Sequence, residues 1–508
     1  MLAHSFSMAC FGMECYKIEI EADVSVGMPG FDLVGLPDTA VKESRNRVRS
    51  AMKNCGFEFP ISHITMNLAP ANLKKEGPIY DLPLFITLLK ATSQLRANID
   101  DSVFIGELSL SGAVRSVQGV LPMTIKAKEE GFKHIYVPFE NAGEASVVKD
   151  ITVYPVTDII ALVEHLRGNK NIEPFKYDEN SFTSTFEAAD FSSVKGQLKA
   201  KRALEISASG GHNILLIGPP GSGKSMLANR LPGILPDMTF EESIEATKIH
   251  SIAGTLKEPL IKTRPFRSPH HTISANGLSG GGAIPKPGEI SLAHNGVLFL
   301  DELPEFSRTA LEILRQPLEN GSVNISRVFG SVNYPSNFIL VAAMNPCPCG
   351  NFGNPNQKCT CSATAVNKYL GKISSPLLDR IDMHIEVPPV SYDNLASKVK
   401  AESSAVIKER VNAARLVQIE RYKDFGITCN ANATSEIIKE TSEITKRAEE
   451  LLHKSFEKFG FSARAYDRVV KVARTIADLD KSKSIDVMHM AEAVQYRTLD
   501  RKYWLKEL

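Results

Sequence analysis

The run Gly218-Pro219-Pro220-Gly221-Ser222-Gly223-Lys224-Ser225 fits the spacing G-x-x-x-x-G-K-[S/T]. A glycine-rich turn of this kind directs backbone N–H groups onto phosphate oxygens. In that arrangement Lys224 reaches the β- and γ-phosphates and the Ser225 hydroxyl ligates Mg²⁺. About eighty residues on, the apolar run Gly296–Leu300 ends in Asp301-Glu302. Two adjacent acids at a strand end divide the work of phosphoryl transfer. Asp301 completes the Mg²⁺ shell, and Glu302 polarises the attacking water. A third apolar run, Phe338–Met344, ends in Asn345, placed to hydrogen-bond the γ-phosphate or the water; the alternative is a turn-forming Asn before Pro346.

Arginines follow. Arg380 closes Ser375-Pro376-Leu377-Leu378-Asp379-Arg380 and is expected to stabilise transition-state charge in a neighbouring subunit. The alternative is a salt bridge to Asp379 or Asp382. Arg464 opens a helix of the C-terminal stretch and is expected to report nucleotide state there. Four of the eight cysteines, Cys347, Cys349, Cys359 and Cys361, form two C-x-C pairs. Four thiolates in so short a stretch can close a tetrahedral Zn²⁺ site and staple a loop that has no core. Reduced cysteines without a ligand are the competing reading. Cys10, Cys15, Cys55 and Cys429 read as ordinary core or surface residues.

Two segments carry basic or glycine-rich character between these landmarks. One runs from Arg264 and Arg267 through Ser268-Pro269-His270-His271 to Gly280-Gly281-Gly282 and Lys286. The other, Gly321–Gly330 with Arg327, reads as a β-hairpin. Arg264, Arg267, His270, His271, Lys286 and Arg327 are the candidates for gripping nucleic-acid phosphates without reading sequence. Taken singly, a solvated loop charge is the plainer reading of each.

The elements that must hold these residues follow from periodicity. Asn213–Ile217 is a buried strand feeding the phosphate loop, and Ser225–Arg230 begins a helix. Residues 1–166 alternate strand-like runs (Ser62–Leu68, Val103–Glu107, His134–Pro138) with helical ones (Asp81–Leu89, Leu121–Glu130), which makes a separate α/β domain. Residues 167–187 read as a linker, 188–391 as the nucleotide-binding core, and 392–508 as a helical block with helices at 402–422, 434–459, 463–478 and 485–497. The fold class is therefore α/β multidomain.

At 508 residues, 43% hydrophobic and 23% charged, the chain reads as soluble and globular. A net charge of +1 excludes a global basic field, so any nucleic-acid contact is local. No apolar run reaches the ~18–20 residues needed to span a bilayer, no signal segment is visible, and the expected location is cytoplasmic, away from membranes.

The order of phosphate loop, Asp-Glu strand, Asn strand, Leu-Leu-Asp-Arg and C-terminal Arg464 resembles AAA+ ATPases. Val194-Lys195-Gly196-Gln197, Arg202-Ala203-Leu204-Glu205, Ser268-Pro269-His270-His271-Thr272 and Asn345-Pro346-Cys347-Pro348-Cys349-Gly350 narrow the resemblance, end to end, to the ComM/YifB family of magnesium-chelatase-like AAA+ proteins. That resemblance implies ATP and Mg²⁺ as cofactors and Val194 and Gln197 near the adenine. It implies a homo-hexamer that completes each site with its neighbour's Arg380, and a C-terminal helical lid.

It also implies branch migration of single-stranded, forked or branched DNA during recombination or natural transformation. A chelatase-motor-like remodeller of a protein partner is the alternative. The stretch Asn67–Pro83 with Leu110–Val114 and Val137–Asn141 resembles Lon-type Ser/Lys proteases, but Ile79 stands at the nucleophile position and Leu121 near the lysine position. Without nucleophile and base, acyl transfer has no starting point, so no protease activity is expected.

Overall fold

The computed structural model describes residues 2–177, 189–282, 285–327, 330–354, 357–390 and 401–504. Part of the expected linker (178–187) and the boundary at 391/392 lie outside the described residues. The chain divides into two compact units: Met1–Thr183 with Ser243–Ile261, and Ser184–Glu242 with Lys262–Leu508.

The first unit is built on a seven-stranded sheet in the order Gly30–Val34, His63–Ala69, Glu14–Ser25, Leu2–Phe11, Ser102–Phe104, His134–Pro138, Thr152–Val156. Leu2–Phe11 and His63–Ala69 flank Glu14–Ser25 in antiparallel fashion, and the remaining pairings are parallel. In His63–Ala69 the period of two is plain, with Ile64, Met66 and Leu68 buried and their neighbours half-exposed. The helix Asp81–Ala91 is buried almost all round. Its one carboxylate, Asp81, is held by Arg47 Nε at 2.6 Å and accepts the Leu108 N–H at 3.0 Å.

Ile79 packs, partly buried, against this core, and Leu121 is fully buried in the helix Val120–Glu129. The positions at which a Ser/Lys pair would stand therefore hold packed hydrocarbon. Cys10 and Cys15, read from sequence as ordinary residues, form a disulfide. They are paired residues on the Leu2–Phe11/Glu14–Ser25 hairpin, a register that the linear sequence does not declare.

Ser243–Ile261 lies, in sequence, between the phosphate loop and Asp301, yet it packs with this first unit. Leu260 joins Leu121 and Val147 in one apolar cluster. The Ser251 hydroxyl donates to the buried Glu144 carboxylate at 2.5 Å, which also accepts from Asn141 and from the Leu121 N–H. Burial pushes the Glu144 carboxyl above its ordinary range, against these bonds.

The second unit contains five parallel strands in the order Phe266–Arg267, Val297–Leu300, Ile339–Met344, Ile214–Ile217, Met383–Glu386. Ile214–Ile217, Val297–Leu300 and Ile339–Met344 are buried at every position, as continuous apolar runs in a parallel sheet must be. The register pairs Ile217 with Met344 and Leu300 with Ala342. Gly218, Asp301 and Asn345 therefore leave the sheet at one edge, the carboxyl ends where parallel sheets bind ligands.

Helices Ser404–Arg421, Lys446–Phe459, Ala463–Leu479 and Val487–Gln495 share one apolar cluster with these strands, including Leu204, Ile214, Val341, Val469 and Ile476. The single helix expected over 434–459 is two, Ser435–Thr441 and Lys446–Phe459. Between them Glu443–Ile444 pairs with Ser484–Ile485, and Thr445 caps the next helix by accepting the Ala448 N–H.

The hairpin expected at 321–330 extends further, from Ser322–Arg327 to Gly330–Pro335. It buries Val323, Ile325, Val332 and Tyr334. Val328 and Phe329 lie outside the described residues. Among the described residues no helix is long and apolar enough to cross a membrane.

Candidate nucleotide site and its surroundings

Gly221 and Gly223 take φ of +75° and +90°, the left-handed region in which glycine is favoured. The turn they form, Gly218–Ser225, carries the chain from Ile217 into the helix Lys224–Ala228. Lys224 Nζ donates to Gly218 O (2.8 Å), Pro219 O (3.0 Å) and Asn345 Oδ1 (3.1 Å). Its ammonium is therefore tied to both the loop and the neighbouring strand. Burial depresses its pKa, while Asp301 and Glu302 act in the opposite direction. The Ser225 hydroxyl donates to Asp301 Oδ2 at 2.5 Å. A cavity of about 410 Å³ is lined by Pro220, Gly221, Gly223, Lys224, Ser225, Met226, Asp301, Glu302, Met344 and Asn345.

One hydroxyl and one carboxylate at hydrogen-bond distance, open to the cavity, match what Mg²⁺ asks of a protein that leaves the other positions to water and phosphate. Ser225 and Asp301 are the residues that would hold it. Glu302 has φ of +53°, a left-handed backbone unusual outside glycine and of the kind found at functional sites. Its carboxylate meets His271 Nδ1 at 3.3 Å. His271 lies tilted against His270 (4.1 Å between centroids) and abuts Phe306 edge-on. This contact has no signal in the sequence, because it joins the stretch after Phe266–Arg267 to the end of the adjacent strand.

Val194 is fully buried in the core rather than lining the cavity. Gln197, with φ of +55°, donates to Ser222 O (3.2 Å) and Pro388 O (2.6 Å), bracing the phosphate loop from outside. Arg380 and Arg464 do not reach the cavity. They converge instead on Glu319, a residue without a sequence signal. Arg380, its side chain 7% exposed, ion-pairs with Glu319 and donates to Pro376 O, and Arg464 approaches the same carboxylate at 3.4 Å. The Arg380 hydrogen bond holds the Glu319 carboxyl below its ordinary range. Asp382, one of the expected partners of Arg380, pairs with Arg468 and accepts the Asn213 N–H at 2.8 Å. Asp379 approaches Arg497 at 4.0 Å.

The basic candidates are mostly engaged. Arg264 bonds Pro236 O, Asp237 O, Asn295 O and Glu242. Arg267 forks onto Glu289 (2.6 and 2.7 Å). Arg327 donates to Gly282 O and Ser326 O, and Lys286 is exposed on a short ladder with Gly281. Tyr334 joins the two segments by donating to Pro285 O at 2.7 Å.

Cys347, Cys349, Cys359 and Cys361 place their Sγ atoms within 4.8 Å of one another. The closest separations are 3.4, 3.7 and 3.6 Å. Four sulfurs about 2.3 Å from one Zn²⁺ stand about 3.8 Å apart along tetrahedral edges, so the donor set fits. Backbone N–H groups of Asn351 and Thr360 pull the Cys349 thiol down to about 5, and the Phe352 N–H points at Cys347 Sγ (3.3 Å).

Family comparisons agree along the chain. "Magnesium chelatase, subunit ChlI" matches residues 190–395, "Subunit ChlI of Mg-chelatase" residues 20–141, and "Magnesium chelatase, subunit ChlI C-terminal" residues 401–497. The protein YifB of Salmonella typhimurium is 45% identical over 507 residues, covering 98% of both chains. That of Escherichia coli is 45% identical over 498 residues, 97% of this chain and 96% of the other. Competence protein ComM of Haemophilus influenzae is 43% identical over 507 residues, 98% of both. With the phosphate loop, its acids and Asn345 around one cavity and relatives matching nearly their whole length, the chain belongs to the ComM/YifB family of magnesium-chelatase-like AAA+ ATPases.

Proposed function

We propose that this chain hydrolyses ATP as a ring of six subunits and uses the energy to move branched DNA, extending heteroduplex by branch migration. The observation that carries the catalytic part is the meeting of Lys224, Ser225, Asp301, Glu302 and Asn345 at a single cavity. The likeness to a competence protein supports the DNA part.

ATP would supply the γ-phosphoryl group, and Mg²⁺ would neutralise the charge that develops on it. Lys224 turns its ammonium from Gly218 O and Pro219 O to the phosphates. Ser225 and Asp301 would hold the cation, and Asn345 orients Lys224 from the next strand. Glu302 accepts a hydrogen bond from the water and aligns it with the γ-phosphorus. Arg380 leaves Glu319 and meets the nucleotide of a neighbouring subunit, supplying charge that its own site lacks, while Arg464, released from the same carboxylate, reports nucleotide state to the C-terminal helices. The hairpin Ser322–Pro335 and the Gly280–Lys286 ladder, joined through Tyr334, are the grips on the DNA backbone. The four cysteines would hold Zn²⁺ in a structural role.

The second reading, a remodeller of a protein partner, is favoured by the three matches to a magnesium-chelatase subunit. Purified protein given forked and four-way DNA separates the two. A DNA motor raises its ATP turnover on these substrates and resolves them with ATP, and Lys224→Ala abolishes both. Protein that neither binds DNA nor responds to it in turnover overturns the DNA reading and leaves the remodeller.

A further inference from the structure

The stretch 347–361 has little of its own to hold it. Among its described residues only Cys347 and Gly350 are fully buried, and none lies in a helix or strand. Yet it touches the phosphate-binding apparatus at two points. Cys347 stands two residues beyond Asn345, whose Oδ1 accepts from Lys224 Nζ. Gly350, at φ of +80°, lies so close to the phosphate loop that an added Cβ would sit 2.4 Å from Pro220 Cδ and 2.9 Å from Pro220 Cγ. Pro220 is itself a lining residue of the cavity. On the far side Phe352 packs on Tyr503 at 6.3 Å between rings.

We infer that the four-thiolate cluster is a metal clasp on the phosphate loop: loaded with Zn²⁺, it fixes Asn345 through Cys347 and Pro220 through Gly350, and so sets the affinity for the nucleotide. This rests on the zinc reading given above. A closed tetrahedral site leaves no open position on the metal, so the ion takes no part in the chemistry. Its bonds to Cys347 and Cys349 hold one end of the stretch, those to Cys359 and Cys361 hold the other, and Gly350 is pressed onto Pro220 between them. Once the metal is gone, the described residues of the stretch still have the Gly350 contact, the Phe352 packing and their own hydrogen bonds, but the bonds that tie its two ends together are lost. Pro220 and Asn345 then lose their outer support, while the sheet beneath them is unchanged.

The test measures zinc per chain by mass spectrometry and the Kd for a fluorescent ADP analogue on the same full-length preparations. These are the protein as purified, protein stripped with a thiol-reactive mercurial and then reduced in the presence of a zinc chelator, and stripped protein given Zn²⁺ again. We expect one zinc per chain, a Kd raised about ten-fold or more on stripping, the scale of one misplaced hydrogen bond to a charged group, and recovery on reloading. Gly350→Ala is the second arm. It should keep one zinc per chain and still weaken binding, because its methyl pushes on Pro220. If stripping unfolds the chain by circular dichroism, this arm decides. Purified protein with full nucleotide affinity and no zinc removes the zinc reading itself. Zinc at one per chain with a Kd unmoved by both stripping and Gly350→Ala, or by Gly350→Ala alone where stripping unfolds the chain, overturns the clasp and leaves the metal as a distant staple.

Discussion

Removing His271 tests whether Glu302 is restrained. The pair stands at 3.3 Å, with side chains 31% and 57% exposed. At that exposure solvent competes for both groups, so the contact is worth about 0.2–1 kcal/mol, or about 1.4- to 5-fold in the population of Glu302 free to orient water. If the contact draws Glu302 off the attacking water, His271→Ala raises DNA-free ATP turnover by that factor and no more. Steady-state phosphate release, with nucleotide saturating, reads it directly. Glu302→Gln should lower turnover by ~10²–10⁴-fold, and adding His271→Ala to that variant should change nothing further, because the carboxylate it restrains is gone. A fall in turnover with His271→Ala alone would refute the reasoning, since the imidazole would then be helping the chemistry rather than restraining it.

Two further outcomes follow from the arginines and from Asp382. If Arg380 acts on a neighbour's nucleotide, equal amounts of Lys224→Ala and Arg380→Ala subunits, each inactive alone, should regain about one quarter of wild-type turnover when mixed at random, because that share of interfaces pairs an intact lysine with an intact arginine; no recovery would place Arg380 in its own site.

Burial raises the Asp382 carboxyl, but Arg468 and His212 more than reverse this and hold it below the ordinary range. Its folded pKa is therefore below the unfolded one, so the stability it contributes is present above the unfolded value, about pH 4, and is lost as pH falls beneath it. Asp382→Asn should cost about 3 kcal/mol or more at neutral pH, by leaving Arg468 without its partner, and should flatten the loss between about pH 5 and 3. Urea midpoints across that range, unchanged in slope by the substitution, would contradict it.

The parts of the site legible in the sequence are those whose chemistry and element are local. Ile214–Ile217, Val297–Leu300 and Ile339–Met344 are short, wholly apolar runs, each followed by a residue suited to a phosphate or its Mg²⁺, and the sheet register lines those ends up. What sequence could not carry is long-range. Glu319 is a plain helical glutamate until Arg380 and Arg464 arrive from elsewhere in the chain. Arg264 looks like a free basic residue until its four partners close around it. The break between Thr441 and Lys446 depends on a two-residue pairing with Ser484–Ile485, too short to leave a period. The full extent of the 322–335 hairpin leaves little trace in the sequence because its second strand alternates through Ser331, Val332, Asn333 and Tyr334, a pattern no stronger than that of a polar loop.

The packing of Ser243–Ile261 with the first unit also orders events during biosynthesis. Chains emerge amino end first, at ~5–20 residues per second, and domains generally close as units. Here the sheet of the first unit is complete at Val156, but Leu121 and Val147 wait for Leu260, and the buried Glu144 waits for Ser251. Roughly a hundred more residues must be translated, ~5–20 s, and the phosphate loop is among them. The nascent amino-terminal part thus stands with an apolar patch and a buried acid uncovered while the nucleotide-binding half is being made. Fragments cut near residue 177 inherit that same unfinished surface. An expression boundary for this unit has to carry Ser243–Ile261 along with it, by circular permutation or by fusion through a short linker.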